Sequence, residues 1–261
     1  MLIENKLKAK LKSGKSVFGT WSMLPSPEVV NVISRTQLDF VILDMEHGVM
    51  SFETIQRQIF ATENSGCTPV VRLGDAGGPT ILKALEAGAQ NILVSHVSSP
   101  QEALRIVRAC RYPPQGDRGL SPFTRNHDYS DADLPAKLQH ANEQVFVGVL
   151  VEGEEGIANL EKIAQVPGLD MIYLGIYDIS QTVGVPGDLR NPKVLKMLSQ
   201  SAQVAASHGL VAGSVARDKE YISILTECAF RFISYRVDSA ILKEGLDQAR
   251  GWFIDSQKKV L

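Results

Sequence analysis

The chain has 261 residues, of which 44% are hydrophobic, and its formal net charge is −2. A sequence this apolar can bury a full core, so the composition excludes an intrinsically disordered chain. The balanced charge offers no basic surface for nucleic acid or for a membrane, and the expected partner is therefore a small molecule.

The cysteines and the first residues indicate the compartment. Cys67, Cys110 and Cys228 are odd in number and widely spaced, which predicts neither a disulfide framework nor a zinc site. The first residues are polar and basic and lack the apolar run of a secretory signal. No apolar run approaches the roughly 18 residues of a membrane span. We therefore expect a cytoplasmic protein.

Short runs rich in apolar and β-branched residues recur along the chain and predict eight strands. Most of these runs are apolar almost throughout, as are strands that are buried on both faces of a parallel sheet. The predicted strands are Val17–Trp21, Asp39–Asp44, Pro69–Leu73, Asn91–Ser95, Val145–Glu152, Asp170–Ile176, Leu210–Ser214 and Arg231–Arg236.

Helical patterns, with apolar residues three and four positions apart, separate most of these strands. Several begin with a capping Ser or Asn followed by Pro, as in Ser99-Pro100. The predicted helices are Pro27–Thr36, Phe52–Asn64, Pro79–Glu86, Pro100–Cys110, Gly156–Gln165, Pro192–His208 and Lys219–Cys228.

Eight β–α repeats predict an α/β fold, a single (β/α)8 TIM barrel that spans residues 1–261. A doubly wound open sheet is the alternative. That fold would have a glycine-rich phosphate turn after the first strand, and Gly19-Thr20-Trp21-Ser22 is not such a turn. The long interruption Arg111–Asp133, rich in Pro, Gly and Arg, is more typical of a functional loop than of a linker.

Two carboxylates follow neighbouring predicted strands. Glu152 ends the fifth strand and Asp178 comes just after the sixth, and the site of a barrel enzyme lies at these strand ends. Mg²⁺ takes one or two protein carboxylates together with waters and substrate oxygens, so the pair predicts a magnesium site where Mn²⁺ or Co²⁺ could substitute. The structural alternatives are that Glu152 caps the next helix and that Asp178 caps a turn with Ser180.

Other polar residues follow the second, third and fourth strands. An imidazole such as that of His47 can act as a general base near neutral pH, and Asp44, three residues earlier, could orient it. Arg72 fits either a salt-bridge hub or a clamp for a developing oxyanion. His96 fits the wall of a site and a structural role equally well.

No lysine occupies any predicted strand end. A Schiff-base aldolase needs a desolvated lysine in its site, so the sequence favours a metal-dependent route to an enolate. Neither a G-x-S-x-G nucleophile elbow nor a Walker loop is present.

These residues belong to segments that together resemble the HpcH/HpaI family of class II, metal-dependent pyruvate aldolases, which are related to the citrate lyase β subunit. The resemblance covers nearly the whole chain. The matching segments are FGTW (18–21), FVILDMEHG (40–48), PVVRL (69–73), LEAGAQNILV (85–94), RYPPQGDRG (111–119), VLVE (149–152) and YLGIYDIS (173–180).

The resemblance implies a lyase that cleaves a 4-hydroxy-2-oxo acid to pyruvate and an aldehyde through a metal-stabilised enolate. It implies that His47 is the catalytic base assisted by Asp44, and that Arg72 steadies the enolate. Further implied roles are metal binding by Glu152 and Asp178 and substrate binding by Trp21, Arg72, Gly175, Tyr177 and Asp178, with backbone amides holding the pyruvate carboxylate. A citrate-forming Claisen-type synthase and a non-catalytic oxo-acid-binding protein are the alternatives.

The resemblance also implies a last helix exchanged between subunits of a homo-oligomer, a hexamer or at least a dimer. Residues 239–258 form an amphipathic pattern that carries Leu242, Leu246, Trp252 and Phe253.

The sequence departs from the family pattern at several positions near the expected substrate. Leu150 stands where Gln is usual, and Tyr177 stands where a small residue is usual. Ser95-His96-Val97 and Arg118–Arg125 also differ from the common pattern. We therefore expect a smaller, drier pocket for the aldehyde.

Overall fold

The computed structural model describes residues 4–63 and 65–258. Eight parallel strands each pair with the next one along the chain, and β8 pairs with β1 to close a barrel. The strands are β1 Val17–Ser22, β2 Phe40–Asp44, β3 Thr68–Leu73, β4 Asn91–Val94, β5 Phe146–Val151, β6 Met171–Leu174, β7 Val211–Ala216 and β8 Phe232–Val237. The predicted barrel is confirmed, and the doubly wound alternative is wrong.

Helices surround the barrel and connect its strands. They are α1 Lys6–Lys12, α2 Pro27–Ser34, α3 Phe52–Thr62, α4 Gly78–Glu86, α5 Pro100–Ala109, α6 Leu134–Gln144, α7 Glu154–Ala158, α8 Leu160–Ala164, α9 Ile176–Thr182, α10 Pro192–Ser207, α11 Lys219–Glu227 and α12 Asp238–Lys258. In the part of the chain that the structure describes, no helix is long and apolar enough to cross a membrane.

Alternate residues of each strand belong to two separate cores. In β2, Val41 and Leu43 pack in the outer core between strands and helices, whereas Phe40 and Ile42 lie in the core inside the barrel. The Phe40 ring stacks on that of Phe232, with 3.9 Å between the ring centroids. Leu7 of α1 joins this inner core. The amino-terminal end of the barrel is therefore filled, and a ligand site belongs at the other end.

The helix predictions were incomplete. Neither α1 nor α6 was predicted, and the predicted helix Gly156–Gln165 is two short helices that meet at Asn159. The predicted helix end at Asn64 lies outside the described residues.

Two carboxyl-terminal strand ends were misplaced by two residues, and both lie at the barrel mouth. β6 ends at Leu174 rather than Ile176, because Gly175 is the N-cap of α9, which begins at Ile176. β7 ends at Ala216 rather than at Ser214. These shifts change which side chains reach the mouth.

Candidate active site

Three charged residues continue the inward-facing rows of their strands. Phe40 and Ile42 face the inside of the barrel, and Asp44 is the next inward position of β2. By the same alternation, Arg72 follows Val70 in β3 and Glu152 follows Leu150 after β5. The strand period therefore places these charges together at the carboxyl end of the barrel.

Asp44 begins a tight turn at the end of β2. Its Oδ1 accepts hydrogen bonds from the backbone N–H groups of Glu46 at 2.9 Å and His47 at 3.1 Å. The Gly48 N–H closes the turn on the Asp44 carbonyl at 3.1 Å. A Cβ at position 48 would lie 2.3 Å from that carbonyl oxygen, so the turn requires glycine. It presents Glu46 and His47 at the mouth.

Arg72 is held by three partners. Its Nε donates to Ser95 Oγ at 2.7 Å and Nη1 donates to Asp44 Oδ2 at 3.1 Å. Nη2 lies 2.7 Å from Glu46 Oε2, and the side chain is 7% exposed. The contacts with Ser95 and Asp44 are hydrogen bonds that use two of the five guanidinium N–H groups, and the contact with Glu46 is an ion pair, so N–H groups remain for a substrate oxygen. The two alternatives for Arg72, a salt-bridge hub and a clamp for a developing oxyanion, are therefore compatible. The residue forms salt bridges and still has N–H donors available.

Glu152 and Asp178 lie side by side around Gly175. A Cβ on Gly175 would lie 2.8 Å from Glu152 Oε2 and 3.5 Å from Asp178 Oδ2, so the glycine leaves the space that both carboxylates use. Burial, and then the negative charge of Asp178, raise the pKa of Glu152 to about 7. Two carboxylates in this position repel each other unless a proton or a cation lies between them.

The structural alternatives for this pair do not occur. α7 begins at Glu154 with Gly153 as its N-cap and has no side-chain cap, so Glu152 caps no helix. The Ser180 hydroxyl donates to the Tyr177 carbonyl at 2.5 Å, not to Asp178.

The donor chemistry of the pair fits a hard divalent ion. Among residues 4–63 and 65–258, no group of three or more His, Cys, Asp or Glu side chains is placed to hold a metal. The described residues therefore contain no site in which three or more of these side chains could bind the metal together. Mg²⁺ needs only one or two protein carboxylates, because waters and substrate oxygens complete its shell. Glu152 and Asp178 meet that requirement, and a cation would relieve their repulsion.

His96 joins the carboxylate pair to the Arg72 cluster. Its Nδ1 lies 2.6 Å from Glu152 Oε1, and its Nε2 lies 2.7 Å from Glu46 Oε1. The residue has a left-handed backbone, with φ at 58°. The structure therefore places His96 in the wall of the site, the first of the two predicted possibilities.

Glu46 received no role from the sequence, although it contacts both Arg72 and His96. Burial works to raise its pKa, but the hydrogen bond to Ser95 and the charges of Arg72 and His96 hold that pKa below its usual range. Its position between Asp44 and His47, directly after a buried strand, was the signal that could have identified it.

His47 lies at the mouth with its side chain 60% exposed. Its Nε2 is 3.6 Å from Glu46 Oε1, whereas Asp44 contacts the backbone of His47 rather than the ring. Asp44 therefore positions His47 through the turn, and the carboxylate nearest the imidazole is that of Glu46.

A cleft of about 240 Å³ opens beside these groups. Trp21, Asp44, Arg72 and Tyr177 line one part of it, together with residues at the ends of β7 and β8. The Trp21 Nε1 donates to Ser234 Oγ at 2.7 Å, which fixes the ring, and the Arg72 guanidinium carbon lies 5.2 Å from the ring centroid.

Tyr177 and Leu150, two of the departures from the family pattern, occupy different surroundings. Tyr177 is 51% exposed and borders the cleft. Leu150 is buried in the core inside the barrel, beneath the site.

The closed barrel and a family model that matches most of the chain define the class of protein. The chain belongs to the HpcH/HpaI aldolase/citrate lyase family, whose model matches residues 17–244.

Two relatives with established names are similar over most of their length. The chain is 30% identical to the 4-hydroxy-2-oxovalerate aldolase of Novosphingobium aromaticivorans, over 95% of this chain and 94% of that one. It is 31% identical to the hydroxypyruvate/pyruvate aldolase of Pseudomonas aeruginosa, over 95% and 92%. Among solved structures, citrate synthase SbnG superposes with a TM-score of 0.87 at 30% identity, over 97% of this chain and 98% of that one.

Proposed function

We propose that this protein is a class II aldolase, a metal-dependent carbon–carbon lyase that cleaves a 4-hydroxy-2-oxo acid to pyruvate and an aldehyde or catalyses the reverse addition. The observation that carries the proposal is the Glu152–Asp178 pair, in which Glu152 is buried and is joined through His96 and Glu46 to Arg72. The aldolase names of the relatives agree with it.

Glu152 and Asp178 hold the divalent ion, with Mg²⁺ as the first choice and Mn²⁺ or Co²⁺ as substitutes. When bound, the ion supplies a Lewis acid for the oxygens of the 2-oxo acid. α9, which carries Asp178, begins at Ile176 with no side-chain cap, so backbone N–H groups near Tyr177 and Asp178 would be available to the pyruvate carboxylate.

Arg72 and His47 act on the three-carbon unit. Asp44, Glu46 and Ser95 fix the guanidinium, so its spare N–H groups meet the developing negative oxygen without reorganisation. His47 takes or returns the proton, because its imidazole is exposed at the mouth beside Glu46, a neighbour of Arg72. Trp21 packs against the substrate at the floor of the cleft.

Metal removal tests the proposal. EDTA is expected to abolish pyruvate release, and added Mg²⁺, Mn²⁺ or Co²⁺ is expected to restore it. Glu152→Gln should weaken metal binding, measured by calorimetry, while circular dichroism shows a folded barrel. Glu154→Gln changes an exposed neighbour and serves as the matched control. Full activity of the metal-free protein would reject the metal assignment.

A citrate-forming Claisen-type synthase is the second candidate, favoured by the similarity to citrate synthase SbnG. Tyr177 and Leu150 also alter the surroundings in which an aldolase would bind its aldehyde. Parallel assays separate the two activities: the first proposal predicts pyruvate release from 4-hydroxy-2-oxo acids, and the second predicts CoA release from acetyl-CoA and oxaloacetate.

We further propose a cytoplasmic homo-oligomer, a hexamer or at least a dimer, in which α12 packs on a neighbouring subunit. Asp238 is the one buried residue of α12, whereas Leu242, Leu246, Trp252 and Phe253 are each more than half exposed. Burying these side chains against a partner would be strongly favourable. Light scattering at micromolar concentration tests this, and a monomer would reject it.

A further inference from the structure

The ends of β7 and β8 place two arginines in the cleft, opposite the residues proposed to act on pyruvate. Arg217, directly after β7, and Arg236, in β8, line the same cavity as Arg72. Arg217 is exposed, and its guanidinium is not among the hydrogen bonds or ion pairs formed within residues 4–63 and 65–258. The next carboxylate along the chain, that of Asp218, instead accepts from the Tyr221 N–H at 2.9 Å and from Arg190 Nη2 at 2.8 Å.

Arg236 reaches the cleft through an irregularity in β8. Thr20 of β1 is opposite Tyr235, but Trp21 is opposite Val237, so Arg236 is an extra residue in the strand. Its φ is 44°, in the left-handed region that non-glycine residues rarely adopt. Bulges re-aim side chains beside active sites, and strained backbone is concentrated at functional sites.

Arg236, the bulged residue, positions Arg217. Arg236 Nε donates to the Arg217 carbonyl at 2.7 Å, and its Nη1 pairs with Glu244 of α12. The backbone of Arg217 is therefore held while its side chain remains available.

Arg217 differs from the other two arginines of the cleft. Asp44 and Glu46 form ion pairs with Arg72, and Glu244 forms one with Arg236, whereas no such pair within residues 4–63 and 65–258 includes the Arg217 guanidinium. Apolar side chains border it, since Val215, Ala216, Val237 and Ala240 line the same cavity. An arginine whose N–H groups are not used within the protein can bind a carboxylate through two parallel hydrogen bonds.

We propose that Arg217, positioned by Arg236, binds a carboxylate of the acceptor, so that the preferred aldehyde is one that carries its own acid group. This inference rests on the aldolase function proposed above and names its substrate class. Arg72 and the Glu152–Asp178 pair serve the pyruvate unit, and Arg217 serves the second anion on the β7–β8 side.

Matched acceptors test the proposal. The first pair is glyoxylate and glycolaldehyde, and the second is succinic semialdehyde and pentanal. Within each pair the lengths are similar and one member is anionic. For the parent protein, kcat/KM with pyruvate is expected to favour the anionic member in at least one pair. Arg217→Gln should lower that preference roughly tenfold. The expected effect is no larger because solvent weakens the interaction of an exposed guanidinium with a carboxylate.

Two control variants sharpen the result. Arg217→Lys keeps the charge and should retain part of the preference, and Arg57→Gln removes an exposed arginine of α3 and should leave the preference unchanged. Rising KCl should reduce the preference of the parent but not that of Arg217→Gln. An anion preference that is equal in the parent and in Arg217→Gln, for both acceptor pairs, would overturn the proposal.

A reaction without acceptor separates this inference from the proposed function. With Mg²⁺, the parent should exchange the methyl protons of pyruvate with D₂O, followed by NMR, because enolate formation needs no aldehyde. If the parent exchanges these protons while the acceptor preference is insensitive to Arg217, only the present inference is wrong. If the parent neither exchanges the protons nor releases pyruvate, the proposed function is wrong and this inference with it.

Discussion

The mouth of the barrel has two unequal sides. The paired arc, at the ends of β2 to β5, holds Asp44, Glu46, Arg72, His96 and Glu152, whose side chains contact one another directly. The open arc, at the ends of β7 and β8, consists of Val215, Ala216, Arg217, Arg236 and Val237, and the Arg217 guanidinium forms no hydrogen bond or ion pair with the described residues.

The two arcs differ in the role that we propose for them: the paired arc carries out the reaction, and the open arc selects the acceptor. Donors that are fixed before substrate arrives stabilise developing charge without reorganising, and the contacts of Arg72 provide that fixation. A solvated arginine such as Arg217 costs little in the free protein, because water satisfies it. The paired arc therefore resists change, whereas the open arc can vary with the acceptor without endangering the fold.

The largest effect is expected from removing the proposed base of the paired arc. His47→Ala should lower kcat by about 10²- to 10⁴-fold, the usual result of losing a general base. Pyruvate should still bind, because Arg72 and the carboxylate pair remain. Steady-state kinetics and pyruvate titration in the presence of Mg²⁺ measure the two quantities, with His208→Ala, on the outer surface beside Glu161, as the control. Parent-like turnover of His47→Ala would make His47 structural.

A smaller effect, on stability, compares the arcs directly. Asn at position 44 can still accept the two backbone hydrogen bonds of the turn, but its NH₂ group would face the Arg72 guanidinium. Because the lost ion pair is buried, Asp44→Asn should reduce the free energy of unfolding by about 3 kcal/mol. Arg217→Gln should change it by less than about 0.5 kcal/mol.

Urea titrations of both variants, with similar m-values, test this contrast. Equal losses of stability in the two variants would show that the arcs do not differ in how their charges are held.

The sequence predicted the barrel and much of the paired arc for a definite reason. Buried parallel strands are apolar on both faces, so each strand is a visible run, and a charge at its end is conspicuous. Asp44, Arg72 and Glu152 each interrupt such a run. The eight strands and the family are confirmed; the roles of these residues in the reaction remain predictions.

The sequence placed Arg236 at the end of the eighth predicted strand but gave it no role, and it did not place Arg217 at the mouth, because backbone geometry creates the open arc. The predicted end of the seventh strand at Ser214 left Arg217 in a loop, whereas β7 continues to Ala216 and delivers Arg217 to the mouth. The bulge at Arg236 has no residue pattern of its own, since only the pairing of β8 with β1 reveals it. α9 was not predicted either, because it begins within the predicted sixth strand, directly after Gly175.

Tyr177 lies between the two arcs and supports the last and smallest prediction. Its side chain is half-exposed and borders the cleft on the α9 side, so its ring occupies space that a long acceptor would need. We expect the parent to use glyoxylate or glycolaldehyde better than succinic semialdehyde, and Tyr177→Ala to shift the preference toward the longer aldehyde. A contact of methylene size is worth about 1–3 kcal/mol, so the shift should be roughly 10- to 200-fold.

The kcat/KM ratio of short to long aldehydes measures the shift, and Tyr177→Phe separates the ring from its hydroxyl. A ring that acts by occupying space predicts a parent-like ratio for Tyr177→Phe and a changed one for Tyr177→Ala. This size effect is independent of the charge effect at Arg217, because Tyr177→Ala removes volume and leaves the guanidinium in place. An unchanged ratio in Tyr177→Ala would show that Tyr177 of α9 does not control acceptor length. The loop 119–130 is then the next segment to vary, since it carries the exposed Leu120, Phe123 and Tyr129.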